Sequence, residues 1–302
     1  MKPRVVSLLA SGTEIVCGLG AGDCLVGRSH ECDNPEWVRR LPACTRPTFD
    51  PNLSSGEIDS LVKQRLRSGA PLYDVDAGLI ATLAPDLLIT QTHCEVCAVT
   101  PADVERAGGG GIAGQVLGLS AGTLEGVYEG IGRVADALGM PGAGAELVSR
   151  MRARIATLHD AVKDCPAPRV VMLEWVAPLY AMGNWAPELL RSANGRPALS
   201  GEGYSSIVTW QDVLASDPDA LIVAPCGFDL ERTRRELPTL SSFPGWFDLR
   251  AVRDGRVILA DGNRYFNRSG TTVVETVEIL AAALHGYPSK LEHAWQFYQG
   301  AR

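Results

Sequence analysis

Short apolar runs bounded by turn residues alternate along the chain with stretches whose apolar positions repeat at helical spacing. Residues 5–9, 24–27, 86–90, 116–119, 169–175, 220–224 and 257–260 predict buried strands, since each is too short for a helix and rich in Val, Ile and Leu. Between them the spacing predicts helices. Ser11-Gly12-Thr13-Glu14 reads as a loop and cap leading into a helix with Ile15, Val16 and Leu19. The capping-box pattern Ser54-Ser55-Gly56-Glu57 precedes Ile58, Leu61, Val62 and Leu66. Further helices are predicted over 77–83, 101–105, 187–193, 209–215, 230–237 and 271–284. A nearly continuous helical stretch covers 124–138 and 143–158, broken around Gly139-Met140-Pro141-Gly142.

Strands alternating with helices imply a mainly parallel sheet in each half of the chain. The expected fold class is α/β, with two Rossmann-like lobes joined by a long spacer helix. The expected boundaries are an N-terminal lobe over 1–120, a helical spacer over 121–165 and a C-terminal lobe over 166–302.

Composition narrows the function classes. The 302 residues are 46% hydrophobic and 21% charged, ordinary values for a globular chain, and the net charge is −7. No Lys/Arg run exceeds two residues, which argues against a nucleic-acid partner. No apolar stretch approaches the length of a membrane span, so no membrane insertion is expected. Lys2 and Arg4 precede a short apolar run, but Glu14 falls where the core of an export signal would continue. A cytoplasmic location is therefore expected, with a periplasmic or extracellular one if the true start lies upstream. In the cytoplasm the eight cysteines would be mostly reduced.

The candidate chemistry follows two of the predicted strands. Ser29-His30-Glu31-Cys32 comes after the run 24–27, and Gln91-Thr92-His93-Cys94-Glu95-Val96-Cys97 comes after the run 86–90. Open α/β sheets present ligand-binding groups at the carboxyl ends of their strands, so both loops would open on one edge. His30, Cys32, His93, Cys94 and Cys97 could then converge. Thiolate and imidazole donors suit zinc, copper(I) or an iron–sulfur centre. Cys94-x-x-Cys97 could equally form a redox dithiol, or the loop could carry buried, inert thiols. Cys17 and Cys24 read as core residues, and His159, His285 and His293 as structural or solvated. No Gly-x-Ser-x-Gly elbow, Gly-x-Gly-x-x-Gly turn, Walker loop or His-Glu-x-x-His occurs, and Gly108 to Gly111 lack the Gly-Lys-Ser/Thr of a phosphate loop. No recognisable catalytic constellation marks an enzyme.

The order of these pieces resembles the cobalamin- and siderophore-binding proteins of ABC importers, the class of substrate-binding protein with two α/β lobes and one long helix. The likeness rests on Arg4-Val5-Val6-Ser7-Leu8 followed by Thr13-Glu14, and on Val26-Gly27-Arg28-Ser29. It also rests on Leu83-Ala84-Pro85-Asp86-Leu87-Leu88-Ile89, Asp217-Pro218-Asp219-Ala220-Leu221-Ile222-Val223 and Val252-Arg253-Asp254-Gly255-Arg256-Val257. The resemblance implies a non-catalytic carrier or receptor holding a corrinoid or related metal chelate in an interlobe cleft. It implies cleft loops carrying His30, Glu31, Gln91, His93, Trp175, Tyr180, Trp185, Tyr204, Cys226, Tyr265, Phe266 and Asn267. Their aromatics suit a large, flat, partly apolar ligand, although several could be ordinary core residues. An imidazole or thiolate from these loops could replace a weak axial ligand on cobalt. An ABC permease partner is implied for an exported chain, with Glu105 as an acidic docking residue. The alternative reading is a cytoplasmic zinc, iron or cluster protein or enzyme, with Cys32, Cys94, Cys97 and His30 as metal ligands and Cys226 as a further one.

Overall fold

The computed structural model describes residues 2–93, 96, 98–108, 114–199 and 203–299. The chain divides into two compact units. Unit 1 comprises Met1–Leu53, Glu57–Ala121 and Glu125–Arg150; unit 2 comprises Ser54–Gly56, Gly122–Leu124 and Met151–Arg302.

Unit 1 starts with β1 (Val5–Ser7), α1 (Ala10–Gly18) and β2 (Leu25–Arg28). β3 (Thr45–Pro47), α2 (Ser55–Ser68, its first two residues falling in unit 2) and β4 (Tyr73–Val75) follow, with β3 and β4 paired antiparallel. Next come α3 (Ala77–Leu83), β5 (Leu87–Gln91), α4 (Pro101–Arg106) and β6 (Gln115–Leu119). The four-stranded sheet has the order β2-β1-β5-β6 and is parallel throughout. β1 and β5 are buried along their whole length, which explains their unbroken apolar sequences. Val6, Leu8, Ile80, Leu88 and Val104 form the core on one side of them.

The first helix departs from the expected loop and cap. It begins at Ala10, without a side-chain cap, and takes in Ser11 to Glu14, all of them buried. The reason is close packing on the sheet: a Cβ at Gly12 would lie 2.7 Å from Ile89 Cγ2, so only glycine lets the helix approach β5 this closely.

α5 (Leu124–Ala137) and α6 (Pro141–Val162) make up the predicted helical stretch, interrupted at Gly139 with φ +70°. Unit 1 ends at Arg150 and unit 2 resumes at Met151, so α6 itself carries the chain from one unit into the other. Its 22 residues make a rod of about 33 Å.

Unit 2 contains β7 (Arg169–Trp175), β8 (Tyr180–Ala181), α7 (Ala186–Ser192), β9 (Arg196–Leu199), β10 (Ser206–Ile207), α8 (Trp210–Ser216) and β11 (Ala220–Val223). α9 (Leu230–Ser241), α10 (Arg250–Arg253), β12 (Val257–Ala260), α11 (Val273–His285) and β13 (Trp295–Phe297) complete it. β7, β11 and β12 form the parallel centre of the sheet; β8 and β13 pair antiparallel on its flanks, and β9 joins β7 in parallel. Beneath it Trp210 stacks on Phe243 at 5.0 Å and on Trp246 at 6.0 Å, among Val171, Leu221 and Leu259.

The x-Pro-Asp element repeated in the sequence performs one job in both units. Ala84 and Asp217 end α3 and α8 in the left-handed conformation, at φ 42° and 36°. The Asp two residues later accepts a backbone N–H from the residue opening or preceding the neighbouring strand: Arg4 to Asp86 at 2.8 Å, Arg169 to Asp219 at 2.7 Å. The motif thus stops a helix, turns the chain and sets the register of the next parallel pair.

Candidate functional site

β2 delivers Ser29 to Cys32 to the carboxyl edge of the unit 1 sheet. The backbone N–H of His30 donates to Thr45 Oγ1 at 3.0 Å, and its Nδ1 shares a second bond with that hydroxyl at 2.8 Å. The ring packs on Tyr73 with centroids 5.5 Å apart, and Tyr73 donates its hydroxyl to the Val96 carbonyl at 2.7 Å. Burial pushes the His30 pKa down to about 4, with Arg28 adding to the effect, so the imidazole is neutral at pH 7. Glu31 follows, its backbone N–H donating to Ser29 Oγ at 3.2 Å.

Cys32 does not present its sulfur as a metal ligand. It is 1% exposed; Thr13 Oγ1 donates to Sγ at 3.0 Å, Ser29 Oγ shares a bond with Sγ at 3.3 Å, and Sγ donates to the Ser7 carbonyl at 3.7 Å. Burial raises its pKa. Among the described residues no group of three or more His, Cys, Asp or Glu side chains could hold a metal ion. Cys94, Glu95 and Cys97 lie outside the described residues, and with them the Cys-x-x-Cys reading.

β5 brings Gln91 and His93 to the same edge. Gln91 is buried, and its Nε2 donates to the Ala98 carbonyl at 3.1 Å. The amide expected to meet a ligand therefore ties the two ends of its own loop together. His93 Nδ1 lies 3.4 Å from Ser120 Oγ, a weak contact. Glu105 is exposed on α4.

In unit 2 the expected loops also follow the carboxyl ends of strands. Trp175, at the end of β7, donates its Nε1 to the carbonyls of Ser55 and Ala177, both at 3.2 Å, and packs on Phe228 at 5.2 Å. The Arg232 guanidinium covers Phe228 at 4.2 Å and pairs with Glu236 at 2.6 Å, and Glu236 also accepts the Ser55 hydroxyl at 2.6 Å. Tyr180 and Cys226 are half-buried, and Tyr204 is 68% exposed.

Three residues expected on the cleft wall belong to the interior, and a fourth, Asn267, is half-buried and tied to backbone. Trp185 is 8% exposed, and Tyr265 and Phe266 are 2% exposed in a single π-helical turn, Gly262–Phe266. Asn267 donates to the carbonyls of Ala224 and Gly262 at 3.0 and 2.8 Å, which fixes the loop after β12 to the loop after β11. These side chains shape the edge from beneath. A cavity of about 1030 Å³ lined by Arg196, Arg256, His285 and Trp295 lies at the opposite, amino edge of this sheet.

Sequence reasoning missed Thr45, Tyr73 and Arg232. Thr45 and Tyr73 meet His30 only because β3 pairs with β4, and nothing in their local sequence announces that.

Two α/β units, each with a mostly parallel sheet and polar or aromatic loops at its carboxyl edge, define a class of solute-binding protein. Residues 5–263 match the family model for periplasmic binding proteins, and the chain belongs to that family. Its role is accordingly to bind a solute, not to catalyse a reaction. The cytoplasmic location expected above finds no support in this membership, and no helix among the described residues is long and apolar enough to cross a membrane. Among solved structures, a periplasmic heme-binding protein from Pseudomonas aeruginosa is similar, with 23% identity, TM-score 0.70, and 96% of this chain and 95% of that one covered. The periplasmic vitamin B12 binding protein of Vibrio cholerae gives 18% identity and TM-score 0.66, covering 93% and 96%. An ABC-type Fe3+-hydroxamate transport protein from Saccharomonospora viridis gives 21% identity and TM-score 0.67, covering 94% and 93%. No curated protein sequence matches the chain.

Proposed function

We propose that this protein binds a corrinoid or a closely related metal chelate through the carboxyl-edge loops and delivers it to an ABC permease outside the cytoplasm. The supporting observation is a half-buried, neutral imidazole, His30, fixed at the carboxyl edge of a sheet in a chain of this family. The similar structures named for heme, vitamin B12 and Fe3+-hydroxamate share one ligand chemistry, a metal held by an organic chelator. In unit 2, Trp175, Tyr180 and Tyr204 at the carboxyl-edge loops keep accessible aromatic surface of the kind a flat ring system packs on. Glu105 on α4 is the proposed acidic contact for the permease.

Gel filtration of the full chain with aquocobalamin or diaquocobinamide tests the reading. Co-elution at a one-to-one ratio, with a changed corrinoid spectrum, is the expected result. A corrinoid that elutes entirely with the small molecules would refute it.

A further inference from the structure

One imidazole in unit 1 is held as metal-binding imidazoles are held. The backbone N–H and Nδ1 of His30 meet one oxygen, Thr45 Oγ1, and the ring rests against Tyr73. A hydroxyl oxygen has two lone pairs, enough to accept both N–H groups when the proton is on Nδ1. These contacts fix the direction of Nε2, which lies on the far side of the ring from Thr45. Among the described residues Nε2 makes no hydrogen bond. The Glu31 carboxylate is 4.0 Å away, beyond hydrogen-bond reach, and the side chain keeps 23% of its surface exposed. His93 at the same edge has its Nδ1 3.4 Å from Ser120 Oγ.

Resting on the corrinoid reading, we infer that His30 Nε2 is an axial ligand to the metal of the bound macrocycle and that Thr45 is the positioning residue that sets its tautomer. A ligating imidazole needs a bare nitrogen toward the metal and an acceptor for the N–H on its other side, the place Thr45 Oγ1 takes in the Nδ1–H tautomer. The ligand class narrows to planar macrocycles whose metal keeps an exchangeable axial position. Chelates whose own donors fill every position are disfavoured. The step is ligand exchange: the Nε2 lone pair enters the axial position, one axial water leaves with its electron pair, and neither oxidation state nor proton count changes.

The test uses the full chain with diaquocobinamide, whose axial waters exchange, read by gel filtration, visible spectrum and electron paramagnetic resonance after reduction to cobalt(II). The wild type is expected to retain the corrinoid and show superhyperfine splitting from one axial nitrogen. His30→Ala should bind roughly 10- to 100-fold more weakly and lose the splitting, and free imidazole should restore it. Thr45→Val should weaken binding about tenfold while Thr45→Ser stays near wild type. His93→Ala should keep the splitting. Should His30→Ala fail to fold, His30→Gln offers an amide in its place and gives the same readout. Retained corrinoid without nitrogen splitting in the wild type, or splitting that survives in both His30 variants, overturns the inference and leaves the corrinoid reading standing. No retention by the wild type refutes the corrinoid reading, and this inference falls with it.

Discussion

His285 closes α11 with its Nε2 donating to the Ala193 carbonyl at 2.8 Å, and burial, together with Arg256, holds its pKa below the usual histidine value. A group depressed in the folded state and ordinary in the unfolded one leaves stability untouched above about pH 6.5. Below that the unfolded chain takes up a proton that the native site refuses, so stability falls as pH drops toward the lower folded value. His285→Gln should therefore show a shallower loss of urea midpoint between pH 7.5 and 5 than the wild type. An identical slope would mean the site does not resist protonation. Residues of this kind show how far sequence reaches at the smallest scale. The strand-then-loop pattern was enough to single out His30 and His93, because carboxyl-edge loops follow from topology alone. It could not separate Tyr265 and Phe266, which are buried, from Tyr204, which is not. Aromatic and polar residues side by side have the same composition whether they line a site or support it. The partners Thr45 and Tyr73 were invisible for another reason: they belong to short strands paired across a long stretch of chain, Thr45 with Val75 and Pro47 with Tyr73, and no local periodicity encodes it.

The helix stop repeated in both units gives a comparison at the scale of elements. Ala84 occupies the left-handed region at φ 42°, where a Cβ crowds the carbonyl, and its side chain is not called on for an ion pair. Ala84→Gly should raise stability by about 0.5–1 kcal/mol in urea unfolding. Asp217 holds the same conformation, but its carboxylate pairs with Arg250 at 2.6 Å and accepts the Arg250 backbone N–H at 3.2 Å. Asp217→Gly exchanges those bonds for the same relief and should bring no gain. An equal gain at both positions would show the Arg250 contacts to be worth nothing. This motif was legible because Pro and Asp act locally. The longer strands β5, β7, β11 and β12 were legible because burial on both faces leaves an apolar run. β8, β9, β10 and β13 were not read: they span two to four residues, and their pairing is set by the neighbours they flank. The loop expected before α1 was a true misreading, since Ser, Gly and Thr signal a cap, whereas close helix–sheet packing at Gly12 draws them into the helix.

For the whole molecule, the family and the two-unit division set how binding should appear in unfolding. A ligand that binds the native state alone stabilises it by RT ln(1 + [L]/Kd), about 2.7 kcal/mol at a hundredfold excess over Kd. A chain of two units need not unfold in a single step, so calorimetry, which registers every transition, is the suitable readout. Diaquocobinamide at that excess should raise a transition midpoint by several degrees, at about 2–4 °C per kcal/mol for units of this order of size. If His30 supplies the axial nitrogen, the transition that moves includes the unfolding of unit 1. At the same ligand concentration a His30→Ala chain that binds tenfold more weakly should show about 1.4 kcal/mol less stabilisation. The comparison separates a structured site from adsorption. A flat, partly apolar corrinoid can adhere to exposed apolar residues such as Trp37, Phe247 and Phe297, and unfolded chain offers more of the same surface. Adsorption would therefore leave the midpoint unchanged or lower it, and the His30 variant would behave as the wild type does.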